Sequence, residues 1–235
     1  MTWKALLFSC LGLAACAPAL PPDAPRPVTL EEAIADAEVA RPDKVSRDLN
    51  PVSLGNPRLR SKEESGERWV LVVTWVDHKG YHDSVGKAHD LGKYEVWVTL
   101  SPELQNACRA LPPEDAARKA RLTQLLGLRP DKPKEHVVEM WARASDLFRP
   151  CPDPETDDRS CELDFRPGVS PDHVKWFEEK RQSSYGPSGY PWTRLGYTYD
   201  WGRGDGVRVG LSEYVIRKGS TVKVASISTV ADYCR

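Results

Sequence analysis

One eight-residue run, Trp69-Val70-Leu71-Val72-Val73-Thr74-Trp75-Val76, limits what this chain can fold into more than any other segment. All but Thr74 are apolar, and β-branched or aromatic residues occupy both parities. A strand of this kind has no wet face, so it reads as the centre of a sheet covered on both sides. The residues that follow supply the cover. Lys93 to Leu100 and Glu135 to Ala142 read as further strands, whose partial alternation with polar residues predicts one wetter face. Between them, Ser101-Pro102-Glu103 offers a cap, a first-turn proline and a first-turn acid ahead of Leu104, Cys108 and Leu111. A second helix runs over about 114–126 and stops at Gly127. A third, opened by Ser170-Pro171-Asp172, covers about 171–182. Leu211 to Ile216 and Thr221 to Ile227 flank Arg217-Lys218-Gly219-Ser220 and predict a hairpin. The expectation is an α+β fold over 69–235: a single compact domain with a mixed or mostly antiparallel sheet and about three helices. The order of the strands is left open.

Residues 17–68 contain no Phe, Trp or Tyr, and prolines stand at 18, 21, 22, 25, 27, 42, 51 and 57. Such a stretch predicts a Pro-rich tether over 16–68 rather than part of a core. Thr29-Leu30-Glu31-Glu32 has capping-box spacing and precedes Ala33, Ile34 and Ala37, so one short helix interrupts the tether, either nascent or docked.

Charge narrows the partners. With 33 Lys+Arg against 34 Asp+Glu the net charge is -1. That balance carries no basic footprint for nucleic acid or for anionic lipid. With no P-loop, no dinucleotide fingerprint and no Gly-x-Ser-x-Gly elbow, no cofactor is expected.

The first residues address the chain. Lys4 is followed by an apolar run from Ala5 to Ala15, too short to span a bilayer and right for the core of a secretory signal. Leu13-Ala14-Ala15-Cys16 resembles the lipobox of bacterial lipoproteins. The resemblance implies removal of residues 1–15, lipidation of Cys16 and anchoring to the cell envelope through acyl chains, in preference to a modification at Cys10. Ala17 after the cysteine implies the outer membrane in a host that has one. Two further strings, Asp-Leu-Phe-Arg-Pro-Cys at 146–151 and Trp-Thr-Arg-Leu-Gly-Tyr-Thr-Tyr-Asp-Trp at 192–201, are similar to those of a small bacterial family with no known activity.

Export bears on the remaining cysteines. Cys108, Cys151, Cys161 and Cys234 form an even set in an oxidising compartment. Of three possible pairings, the one expected joins Cys151 with Cys161 and Cys108 with Cys234. A zinc site is the rival, although no pair has C-x2-C spacing.

Four constellations are candidates for chemistry. His78, His82, Asp83 and His89 share one glycine-bearing loop and offer imidazole and carboxylate ligands to a divalent metal, the basis for a metal-dependent hydrolase. Asp153, Glu155, Asp157 and Asp164 echo a calcium loop, with Asp158 where that loop wants glycine. Tyr190, Trp192, Arg194, Tyr197, Tyr199 and Trp201 lie in an aromatic, glycine-rich stretch of the kind favoured at glycan or protein-binding faces, with core packing as the alternative. Glu213 in Leu-Ser-Glu-Tyr is a strand-borne acid in a context similar to that of ADP-ribosyltransferases, without their serine-rich strand. The leading expectation is a lipid-anchored envelope module that binds another envelope protein or a glycan, or plays a structural part. An envelope hydrolase built on the histidine loop is the alternative.

Overall fold

The computed structural model describes residues 26–235, so the signal, Cys10 and Cys16 lie outside the described residues. In chain order the elements are α1 (Leu30–Ala37), β1 (Ser61–Glu64), β2 (Glu67–Val76), β3 (Ala88–Asp90), β4 (Val96–Leu100), α2 (Ser101–Arg109), α3 (Asp115–Leu125), β5 (His136–Arg143), β6 (Leu147–Phe148), α4 (Pro171–Ser184), β7 (Tyr197–Tyr199), β8 (Val209–Ile216), β9 (Thr221–Ser228) and α5 (Val230–Tyr233). The α+β class holds, with five helices among the described residues rather than about three. Of the two beyond the three expected in the domain, α1 is the short helix expected within the tether, and the short C-terminal α5 is the addition.

The strands form a sheet of order β3-β9-β5-β2-β4-β8-β6, with β1 on β2 and β7 on β8. Each of these pairings is antiparallel. β2 is central, as its composition predicts. It pairs with β5 along eight residues from Trp69↔Arg143 to Val76↔His136, and with β4 only at Val72↔Leu100 and Val73↔Thr99. β1 reaches β2 through a tight turn at Ser65 (φ 54) and Gly66 (φ 77), the two left-handed residues that match the twist of a hairpin.

The expected hairpin at 217–220 is not formed. β8 joins β4 while β9 joins β5, so three strands lie between them. On a flat sheet those strands would be about 19 Å apart at about 4.8 Å per spacing. The five steps from Ile216 to Thr221 fall short of that distance even when fully extended, at about 3.5 Å each. Instead the segment turns at Gly219 (φ 79), whose N–H donates to the Gly92 carbonyl at 2.6 Å. The sheet is therefore curled until its two halves approach. Local sequence encodes the turn, but tertiary closure decides what the turn connects.

Curling separates two cores. Val70, Val72, Val98, Leu100, Val138, Met140, Tyr214, Ile216, Val222 and Val224 fill one face. Val73, Trp75, Val137 and Leu211 lie on the other under Leu104 and Cys108 of α2, Leu122 and Leu125 of α3, and Val230 and Tyr233 of α5. The Cys108–Cys234 disulfide staples α2 to the C-terminus, and Cys151–Cys161 closes a loop after β6.

Residues 26–68 are not a free spacer, which corrects the expectation of a tether running to 68. Leu30, Ala33, Ile34 and Ala37 of α1 are buried, with Ala33 and Ala37 against Tyr199. Leu49 and Val52 are buried further along. The stretch lacks aromatic residues because β7 supplies them. Tyr199 Oη donates to Asp36 Oδ2 at 2.9 Å, and Tyr197 Oη to the Lys44 carbonyl at 2.8 Å. The capping box at Thr29 and Glu32 forms as its spacing predicts.

Candidate functional site

The short β2–β4 ladder has a consequence for the helix-covered face. Beyond Val73 the two strands no longer pair, and a cleft of about 1100 Å³ lies beside them. Its sheet side presents Val73 and Trp75 of β2, Trp97 and Thr99 of β4, and Glu213 of β8. Leu104 of α2, residues 126–128 after α3, the end of α4 and the segment 190–192 also line it. This volume is just above the usual range of about 300–1,000 Å³ for small-molecule sites.

Each wall has a local origin. β2 and β8 are long enough to carry side chains past the end of the ladder. Gly127 adopts φ 63 to end α3 and turns the chain over the cleft, and a Cβ there would sit 3.3 Å from the Tyr199 carbonyl. Trp192 is pinned by its Nε1–H, which donates to the Pro150 carbonyl at 3.2 Å, and it meets Trp97 edge-on with ring centroids 6.0 Å apart.

Glu213 is the exceptional residue. Register places Thr99 opposite it, on the row that continues through Val73 to Glu139. Glu139 is satisfied by the hydroxyls of Ser101 and Ser226, the latter at 2.7 Å. Glu213 has no such donors. Glu213 is half-buried on the sheet with part of its surface facing the cleft, and desolvation alone pushes its pKa up to about 8. A carboxylate in an apolar cavity without donors costs free energy, so such groups concentrate at sites that use them.

The other candidates are distributed differently. His78 and His89 reach the cleft, His82 does not, and Asp83 sits in the exposed turn beside it. His78 Nδ1 accepts from the Gly80 N–H at 3.1 Å, and His89 Nδ1 pairs with Ser84 Oγ at 2.9 Å. His82 packs against His136 instead, with centroids 4.7 Å apart. No three ligand atoms of His78, His82, Asp83 and His89 lie within 4.8 Å of one another. His89 is held on β3 opposite Val222, while His78 and His82 lie in the segment before it, so no single register converges the imidazoles.

The acidic loop folds round a cation of its own. Arg149 is fully buried; its Nη1 donates to Asp158 and to the Ser160 carbonyl at 3.1 Å, and its Nη2 to the Asp158 carbonyl at 2.8 Å. Asp158, at the position where a calcium loop wants glycine, is the counter-ion. Glu155 pairs with Arg166, Asp153 is buried and accepts the Glu162 N–H at 2.7 Å, and Asp157 and Asp164 do not join them. Burial raises the Asp153 pKa to about 6. Cys151, Asp153 and Cys161 are close enough to ligate, but the two sulfurs are bonded to each other and present no thiolate.

The aromatic stretch is mostly core. Trp192, Tyr197 and Tyr199 are buried, Arg194 donates to the Glu38 carbonyl, and Trp201 packs beside α1. Of the six residues, Tyr190, Trp192 and Tyr199 line the cleft, so part of the expected binding face is realised on an inner wall. Trp97, Thr99 and Leu104 were not legible as site residues. The one available signal was the shared parity of Trp97 and Thr99 on a strand with a wetter face.

Fold and site together define a curled antiparallel sheet with a ligand-sized, aromatic cleft on its helix-covered face. The chain matches no family model, no curated protein and no solved structure. Among the described residues no helix is long and apolar enough to cross a membrane.

Proposed function

We propose that this chain is a lipid-anchored cell-envelope protein whose domain binds a small, largely apolar ligand in the cleft beside β2 and β4. The cleft carries the reading: about 1100 Å³ lined by Trp75, Trp97, Trp192 and Tyr190, with one unpartnered acid on its floor. A cavity of that size, mainly apolar and walled in part by rings, with polar groups to orient a ligand, is what small-molecule recognition requires. The lipobox resemblance supplies the location, with Cys16 holding the protein on the envelope membrane. The ligand enters from the side of Tyr94, which is 66% exposed at the rim.

The test is intrinsic tryptophan fluorescence of the purified protein titrated with 4-phenylbutanol. Saturable quenching that Trp97→Ala removes is the expected result. Non-saturable change, identical in the variant, overturns the reading.

A further inference from the structure

We infer that the ligand is an organic cation, an apolar body bearing one ammonium group that meets the carboxylate of Glu213; the inference rests on the cleft being the binding site. Charge in the cleft decides the sign. Lys180 is held by Glu95 at 2.6 Å, and Lys134 faces Asp77 at 3.3 Å. The second carboxylate oxygen of Glu95 accepts the Trp176 indole N–H at 2.8 Å. The Asp90 carboxylate accepts the Gly92 N–H at 2.9 Å. Each charge at the rim therefore has a partner, and Glu213 on the floor has none. A bound anion would meet this acid with no free cation to offset it.

The rings reinforce the choice. Trp97 lies on the same face of β4 as Thr99, the direct partner of Glu213, and Trp192 stands edge-on to it. Indole faces attract cations most strongly among side chains, and more so away from water. A half-buried carboxylate in an aromatic-lined cleft is complementary to an alkyl- or arylammonium head, while the cleft volume takes the apolar body. The upward displacement of the Glu213 pKa fits an acid whose cation is supplied from outside the chain.

Three soluble probes differing only in the head group test this: 4-phenylbutylamine, 4-phenylbutanol and 4-phenylbutyrate, titrated calorimetrically into the protein at pH 8.5. The amine binds at least tenfold more tightly than the alcohol, the carboxylate binds weakest, and Glu213→Gln collapses the amine's advantage over the alcohol. Unchanged wild-type tryptophan emission shows that the variant is folded. Saturable binding of all three with similar affinity, insensitive to Glu213→Gln, overturns the cationic ligand but leaves the cleft as a binding site. Failure of all three to bind overturns both.

Discussion

Tyr199 on β7 and Asp36 on α1 meet hydroxyl to carboxylate at 2.9 Å across 163 residues of sequence. Through this contact a segment without aromatic residues borrows rings from the far end of the chain. Asp36 also binds Lys44 Nζ at 2.8 Å, which ties α1 to the chain that follows it. Tyr199→Phe removes one partly buried hydrogen bond and is expected to cost about 1 kcal/mol. Ala33→Glu places a charge where no solvent reaches and undocks α1 altogether. Limited proteolysis checks both: rapid cleavage within 26–45 in Ala33→Glu, and little change in Tyr199→Phe.

What the sequence makes legible, and what it does not, divides by range. β2, α2, α3 and α4 were readable because their signals are local: a two-sided apolar run, Ser-Pro-acid starts and a terminal glycine. β1, β3 and β6 are short and polar or isolated, and exist because a neighbour offers an edge. The strand order, the crossover at Gly219 and the docking of α1 come from tertiary closure. At the site, Tyr190, Trp192 and Tyr199 are aromatic and stand out in the sequence, but the acid that shares their cleft acquires its character only when β4 and β8 pair.

Arg149 organises the loop that resembles a calcium site. Arg149→Met leaves the Ser160 and Asp158 carbonyls without donors and Asp158 without its cation, and is expected to cost about 3 kcal/mol in urea unfolding. Gly196 guards the same guanidinium. It has φ 73, and a Cβ there would lie 2.7 Å from both Arg149 Cδ and Cys161 Sγ. Gly196→Ala combines left-handed strain with overlap and should destabilise by at least about 2 kcal/mol. Added calcium is expected to leave the wild-type unfolding midpoint unmoved.

The two disulfides differ in span. Cys108–Cys234 separates its cysteines by 126 residues and Cys151–Cys161 by 10. Chain entropy gives the longer loop about 5 kcal/mol and the shorter about 3. Cys234 also anchors α5, whose Tyr233 hydroxyl donates to the Ser101 carbonyl at 2.8 Å. The paired variant Cys108→Ser with Cys234→Ser should therefore lose more stability than Cys151→Ser with Cys161→Ser. Urea midpoints under non-reducing conditions decide the order; the reverse would put most of the value of the short bridge in the Arg149 loop.

Glu213 fixes how stability responds to pH. Its folded pKa is raised from 4.5 to about 8, so between those values the folded state holds a proton that the unfolded chain has released. The carboxyl therefore imposes no penalty below about pH 4.5. Folding stability then falls as the pH rises through the window and levels off above about 8. Asp153, raised from 3.8 to about 6, acts in the same direction over a lower range. Glu64, lowered to about 2 beside Lys223 and Lys62, acts oppositely and only in strong acid. A difference between wild type and Glu213→Gln cancels the other groups. The variant lacks the ionisation, so it should match wild type near pH 4.5 and exceed it at pH 9 by about 1–3 kcal/mol, the part of the shift that survives solvent entering the cleft. Urea unfolding at pH 4.5, 7 and 9 measures the gap. A gap that stayed constant with pH would mean that Glu213 ionises as an ordinary carboxylate, with a cation or water already beside it.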